Sequence, residues 1–266
     1  MITIKSPAEI ELMRQGGRIN SETLQEVLAA VGPGVTLLEL EKIAVDGIIR
    51  RGGSPAFQRV KGYKFATCLN VNEGIVHGIP TERKLMGGDI LSVDLGTFYQ
   101  GFNTDASWTV LVGPARRSLG AGGESENQRT EDWEKKRRFL KAGEEALTAA
   151  ITKARVGNHV LDISAVIQQG VEKAGYNPVD TLVGHGVGKE LHEDPQIPCL
   201  VMKGPNPELT AGMTLAIEVI YTKGGRDLQV AQDGWTVETV DKSWSGLFEH
   251  TVALTEDGPI ILTERE

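Results

Sequence analysis

An α+β fold built on a mostly antiparallel sheet is predicted by the order of local signals along the 266 residues, which runs helices, strands, helices, strands. Strand-like segments far outnumber βα alternations, which argues against a doubly wound parallel sheet. The helix-then-strand pattern also occurs twice, with no residue-level repeat at a fixed spacing, so any internal duplication is a distant one.

Ser6 at an N-cap and Pro7 at the first helical position begin the first helix. Ile10, Met13, Ile19, Leu24, Val27 and Leu28 carry it to about residue 30, with an interruption expected at Gly16-Gly17. Gly32-Pro33-Gly34 stops it. Thr36 caps a second helix that runs to Arg50 or Arg51 and closes at Gly52-Gly53. Residues 66–79 and 89–112 are rich in β-branched side chains broken by glycine, and read as strands. Residues 113–130 hold Gly, Ser, Asn, Gln and Arg with no periodic apolar residue after Leu119, and read as a long mobile surface loop inserted into one domain spanning 1–266. Helices follow over 131–154 and 160–174, the second closed by Gly175. Strands are expected near 180–186, 213–222, 227–240, 248–255 and 259–263.

Composition narrows the function classes. A net charge of −8 and a pI near 5.3 disfavour direct binding to a phosphate backbone. The two cysteines, Cys68 and Cys199, form no CxxC pair and are too few for a disulfide framework, which favours a reducing compartment. The N-terminus lacks the apolar core of a signal peptide, and no run of 18 apolar residues is present. A cytoplasmic protein without a membrane span is the expectation.

Several ionisable residues stand where burial makes them costly. On the strand Ile90–Leu95, Ser92, Asp94 and Gly96 share one face, and Leu91, Val93 and Leu95 the other. The return strand sets Asn103, Asp105, Ser107 and Thr109 against Ala106, Trp108 and Val110. A tight turn centred on Tyr99-Gln100 would put Asp94 directly opposite Asp105, with Cβ atoms about 5 Å apart. Glu218 lies inside the apolar strand Met213–Tyr221, and Glu249 inside Leu247–Leu254. His185 lies in Gly184-His-Gly-Val-Gly-Lys, where glycines at 184, 186 and 188 allow close backbone approach. Four carboxylates and an imidazole repel or desolvate one another unless a pair of divalent cations turns that cost into coordination.

The hairpin VDLG…NTDAS, the loop GHGVGKELHEDP, the strand GMTLAIE, the ending DGWTVET…FEHT and the segment NEGIVHGIP together resemble type I methionine aminopeptidase. The resemblance runs from the first helix to the last strand, with the motifs in family order. It implies the pita-bread fold, an antiparallel sheet backed by helices in pseudo-two-fold halves. It implies a dinuclear centre of Mn, Fe, Co or Zn, with Asp94 chelating one ion, Asp105 and Glu249 bridging both, and His185 and Glu218 completing the second. It further implies that His77 lies near the substrate amine and scissile amide, that His192 contacts the substrate carbonyl, and that Glu218 shuttles a proton. Phe57, Val60, Tyr63, Cys68, Leu191 and Trp235 fall in the side-chain pocket.

The resemblance implies a monomer acting near the ribosome on the N-termini of nascent peptides. The chain departs from the family at Val219, where proline is usual, and at Leu247, where glutamine is usual. Phe57, Val60 and Leu191 replace the common Cys, Tyr and Phe. An X-Pro aminopeptidase or prolidase, which usually carries a further N-terminal domain, and a non-catalytic peptide-binding relative are the alternatives.

Overall fold

The computed structural model describes residues 2–113 and 126–265. Helix α1 spans Pro7–Ala30 and α2 Leu37–Arg50, and each opens on a reciprocal capping box, Ser6 with Glu9 and Thr36 with Glu39. Strand β1 (Ser54–Pro55) and a 3₁₀ turn, Phe57–Arg59, lead to β2 (Thr67–Val71), β3 (Gly74–Val76), β4 (Ile90–Tyr99) and β5 (Phe102–Leu111). Helices α3 (Glu126–Lys153) and α4 (Val160–Lys173) follow. The rest of the chain forms β6 (Asn177–Pro178), β7 (Val183–Gly186), β8 (Glu193–Pro198), β9 (Thr214–Thr222), β10 (Leu228–Val230), β11 (Val237–Thr239), β12 (Ser245–Thr255) and β13 (Gly258–Ile261).

Among the described residues, ten strands form one antiparallel sheet in the order β1-β4-β5-β12-β9-β7-β8, with β2 beside β4, β6 beside β9 and β13 beside β12. Helices cover one face. Leu24, Val27, Leu40 and Ile48 of α1 and α2 pack on Leu91, Val93 and Leu95. Phe139, Leu147, Ile163 and Ile167 of α3 and α4 pack on Val219, Tyr221 and Phe248. The apolar alternation on β4, β9 and β12 therefore faces the helices, and the residues between them face the other way. A separate sheet of three strands, β10-β11-β3, leans on the edge of that second face.

Several expectations need correcting. Helix α1 is continuous through Gly16-Gly17; a side chain at Gly17 would meet the Leu262 carbonyl at 2.1 Å, so the glycines serve close approach to the chain beyond β13 rather than a break. The hairpin turn is centred one residue later than predicted. Tyr99 pairs with Phe102, and Gln100 and Gly101 both take positive φ, 50° and 93°. A two-residue turn with both central residues at positive φ suits the strand twist. Asp94 is consequently opposite Ser107, and Asp105 opposite Gly96. The two aspartates share a face as expected but are diagonal neighbours rather than direct partners.

The span 227–240 is two short strands, and 193–198, read as loop, is the edge strand β8. Helix α3 begins at Glu126, so the last part of the expected 113–130 loop is helical. Residues 114–125 of that loop lie outside the described residues.

Candidate active site

Strand register collects the predicted ligands on the face away from the helices. Asp94 pairs with Ser107, Ser107 with Glu249, and Glu249 with Glu218, which makes one row across β4, β5, β12 and β9. Asp105 lies two residues along β5 from Ser107. His185 pairs with Ala216, two residues along β9 from Glu218. Asp105 and Glu249 thus occupy the middle of the group, with Asp94 on one flank and Glu218 and His185 on the other. Ligand atoms of Asp105, His185 and Glu249 lie within 4.8 Å of one another. His185 Nε2 is 3.5 Å from Glu218 Oε1.

The glycines flanking His185 act as predicted. A Cβ at Gly184 would lie 2.6 Å from the Ala216 carbonyl, and one at Gly186 would lie 2.1 Å from the Asp194 carbonyl. β7 is squeezed between β9 and β8, and the His185 ring is fixed by contact of Nδ1 with the Gly186 carbonyl at 2.8 Å. Thr251 steadies Asp105: its hydroxyl accepts from the Asp105 N–H and donates to the Asp105 carbonyl, both at 2.8 Å.

All of these residues are buried, and burial sets their ionisation. Burial, reinforced by neighbouring carboxylates, pushes Asp94, Glu218 and Glu249 well above the ordinary carboxylate range. Asp105 is pushed up to about 7, chiefly by burial. Burial lowers His185 to about 4, with His192 adding to the effect. His77 and His192 keep an exposed side, and partial desolvation in the cavity lowers them as well. Neutral imidazoles beside acceptor-rich carboxylates suit coordination of a cation.

The donor set fits a divalent metal centre. Among the described residues, Asp94 Oδ1, Asp105 Oδ1 and Glu249 Oε1 are buried without a hydrogen-bond partner. Such oxygens are expensive to leave unsatisfied, and a cation would satisfy all of them. Oxygen-rich ligation with one imidazole is a donor set for hard to borderline first-row ions.

A cavity of about 340 Å³ opens over the carboxylates. Every predicted site residue lines it: Asp94, Asp105, His185, Glu218 and Glu249 at one end, His77 and His192 beside them, and Phe57, Val60, Tyr63, Cys68, Leu191 and Trp235 at the apolar end. His185 and His192 meet edge to face, with ring centroids 4.4 Å apart. His77 has φ 58°, an unusual backbone state for a residue with a side chain. Trp235 arrives on the link between β10 and β11, where Asp233 accepts from its N–H at 2.9 Å. Its ring meets Tyr63 edge to face at 5.1 Å. His250, set aside because it alternates away from Glu249, faces the other side and contacts Thr263.

The sequence reading missed Val76, Thr181, Leu182, Val183, Ile220 and Leu247, which also line the cavity. Strand alternation could have found two of them, because Ile220 shares a face with Glu218, and Leu247 with Glu249. No local signal marks Thr181–Val183. Glu41 of α2 was also missed. Its buried carboxylate accepts from the Ala66 and Thr67 N–H groups at 2.7 and 3.0 Å and from the Thr67 hydroxyl at 2.6 Å. It thereby ties down the segment between Tyr63 and Cys68.

Residues 11–256 match the model of metallopeptidase family M24. The chain is 40% identical to methionine aminopeptidase 1 of Bacillus subtilis and 39% identical to methionine aminopeptidase of Clostridium perfringens, covering 99% of this chain and of each relative. It is similar in structure to methionine aminopeptidase of Thermotoga maritima, with 40% identity, full coverage of both chains and a TM-score of 0.88.

Proposed function

The chain belongs to metallopeptidase family M24, and from that premise we propose that it is a metal-dependent hydrolase that removes the N-terminal methionine from polypeptides. It has the pita-bread fold. The observation that carries the reading is the cluster of four buried carboxylates, three of which, among the described residues, have an oxygen without a hydrogen-bond partner, at the floor of a cavity whose other end is apolar and aromatic.

In this reading Asp94, Asp105, His185, Glu218 and Glu249 would hold two divalent ions, Mn, Fe, Co or Zn, with Asp105 and Glu249 at the centre of the group. When bound, the ions supply Lewis acidity towards a carbonyl and lower the pKa of water. Glu218 would shuttle a proton from the attacking water to the leaving amine. His192, its imidazole held below the ordinary value, donates to the substrate carbonyl oxygen, and His77 contacts the scissile amide and the free amine. Phe57, Tyr63 and Trp235 surround the methionine side chain, whose thioether packs well against aromatic edges. Cys68, Val60 and Leu191 complete the apolar wall. The free α-amine beside the anionic centre accounts for cleavage at the chain end only. The same reading makes the enzyme a single-domain cytoplasmic monomer working close to the ribosome.

The test is hydrolysis of Met-Ala-Ser against Ala-Pro-Ala by protein stripped of metal and reloaded with Mn, Co, Fe or Zn. Methionine release that a chelator abolishes is expected. Cleavage of the proline peptide alone would transfer the chain to the X-Pro peptidases of the same fold. Metal uptake without turnover of either peptide would leave a binding role.

A further inference from the structure

The sheet face that carries the metal-ligand residues does not stop at the cavity. His185 on β7 pairs with Gln196 on β8, and Val183 pairs with Pro198, so Gln196 and Pro198 lie on the same face as His185. Along β8, Pro195 and Ile197 are buried while Asp194 and Gln196 are exposed. That exposed face floors a second groove of about 870 Å³, walled on its far side by Met202–Pro207. Thr181 and Val183 line both the cavity and the groove, so the two adjoin. Among the described residues, the Gln196 side-chain amide has no hydrogen-bond partner. Met202 presents an exposed apolar side chain to the same space.

We propose that this groove binds the substrate polypeptide downstream of the cleaved bond, with Gln196 hydrogen-bonding its backbone and Met202 packing against it. The proposal rests on the methionine aminopeptidase reading and extends it from the terminal residue to the chain behind it. Crossing from β9, which carries Glu218, to β8 covers two strand spacings, about 10 Å, or roughly three residues of extended peptide. The groove therefore meets substrate residues from about the fourth onward, out of reach of a tripeptide. Asp180 and Asp194 line it together with Lys203, so the groove presents no charge of a single sign. A side-chain amide that meets backbone, with one apolar contact, suits a substrate whose sequence varies.

The experiment compares Met-Ala-Ser with Met-Ala-Ser-Ala-Ala, using metal-reloaded wild type, Gln196→Ala and Met202→Asp. Wild type should gain about tenfold in kcat/KM on lengthening, and both variants should keep the tripeptide value while losing most of that gain. A wild type indifferent to length would overturn the proposal, as would variants equally impaired on both peptides. No release from either peptide by wild type would overturn the methionine reading and this proposal with it.

Discussion

Glu218 and Glu249 stand directly opposite one another on neighbouring antiparallel strands, and both are buried. Like charges in that position oppose sheet formation, and Asp105 and Asp94 close by add to the repulsion. The strand pair is therefore a poor arrangement for stability alone and a good one for holding a cation.

Replacing Glu249 by Gln should raise stability and abolish function together. In chelator near pH 8 the variant should melt roughly 2–4 °C above wild type, the equivalent of about 1 kcal/mol from relieved repulsion. Adding Mn or Co should raise the wild-type melting temperature and barely move that of the variant. A variant that melts lower than wild type in chelator would show that the glutamate is structural.

Asp105→Asn should cost most of the bound metal, because Asp105 lies between the two flanks of the ligand group. Metal content by elemental analysis should drop well below that of wild type, and turnover should fall by a factor on the order of a thousand or more. Retention of full metal content would rule Asp105 out as the proposed shared ligand.

Glu41 reaches the substrate only through the backbone it holds. Glu41→Gln removes one carboxylate oxygen that accepts N–H or hydroxyl protons and should loosen the Tyr63–Cys68 wall. KM for a methionyl peptide should rise by about fivefold with kcat nearly unchanged, since side-chain positioning is lost and the chemistry is not. Equal falls in kcat and kcat/KM would place its influence on the reaction step instead.

The turn before β8 is tied by a buried ion pair, Lys5 Nζ to Glu193 Oε2 at 2.5 Å, joined by the Thr3 hydroxyl. Burial alone would raise the Glu193 carboxyl, but bonds from Lys5, Thr3 and the Glu190 N–H bring it below its ordinary value. A depressed folded pKa contributes stability above the unfolded pKa and loses it as pH falls through the folded value. Wild type should therefore lose more stability than Glu193→Gln between about pH 5 and pH 3. Urea midpoints across that range check this; parallel acid limbs would refute it.

Gly143 on α3 faces Phe248 and Tyr221, where a Cβ would come within 2.5 and 2.6 Å of their rings. Gly143→Ala should destabilise the protein by about 1–3 kcal/mol despite the better helix propensity of alanine. Chemical denaturation measures it, and a stabilised variant would mean that the helix can shift outward.

Much of this site was legible because strand alternation is robust. Asp94 and Asp105 share a face whichever residue centres the turn, provided the register shifts by an even number, as it did. The register itself was not legible, since Gln100 takes a left-handed conformation more usual for Asn or Gly. β8 was hidden because Glu193–Pro198 contains two prolines, which an edge strand tolerates but a sequence pattern reads as loop. Trp235 was placed in the pocket by resemblance alone; what delivers it is the pairing of Val237 with Val76, a contact across 161 positions of chain that no local pattern encodes. Glu41 was invisible for the same reason, being one of several acids on an ordinary amphipathic helix until β2 is laid beside it.

The sheet order has a consequence for how the enzyme comes into being. β12 is the penultimate strand in the chain but stands in the middle of the sheet, between β5 and β9. Before residues 245–255 are made, one half holds Asp94 and Asp105, the other holds His185 and Glu218, and the strand that joins β5 to β9 in the main sheet is missing. A cation held by the whole group would then be captured only after the late insertion of one strand. Once Glu249 slides into place the cation would act as a latch, adding its binding energy to the finished fold and to no earlier stage of it.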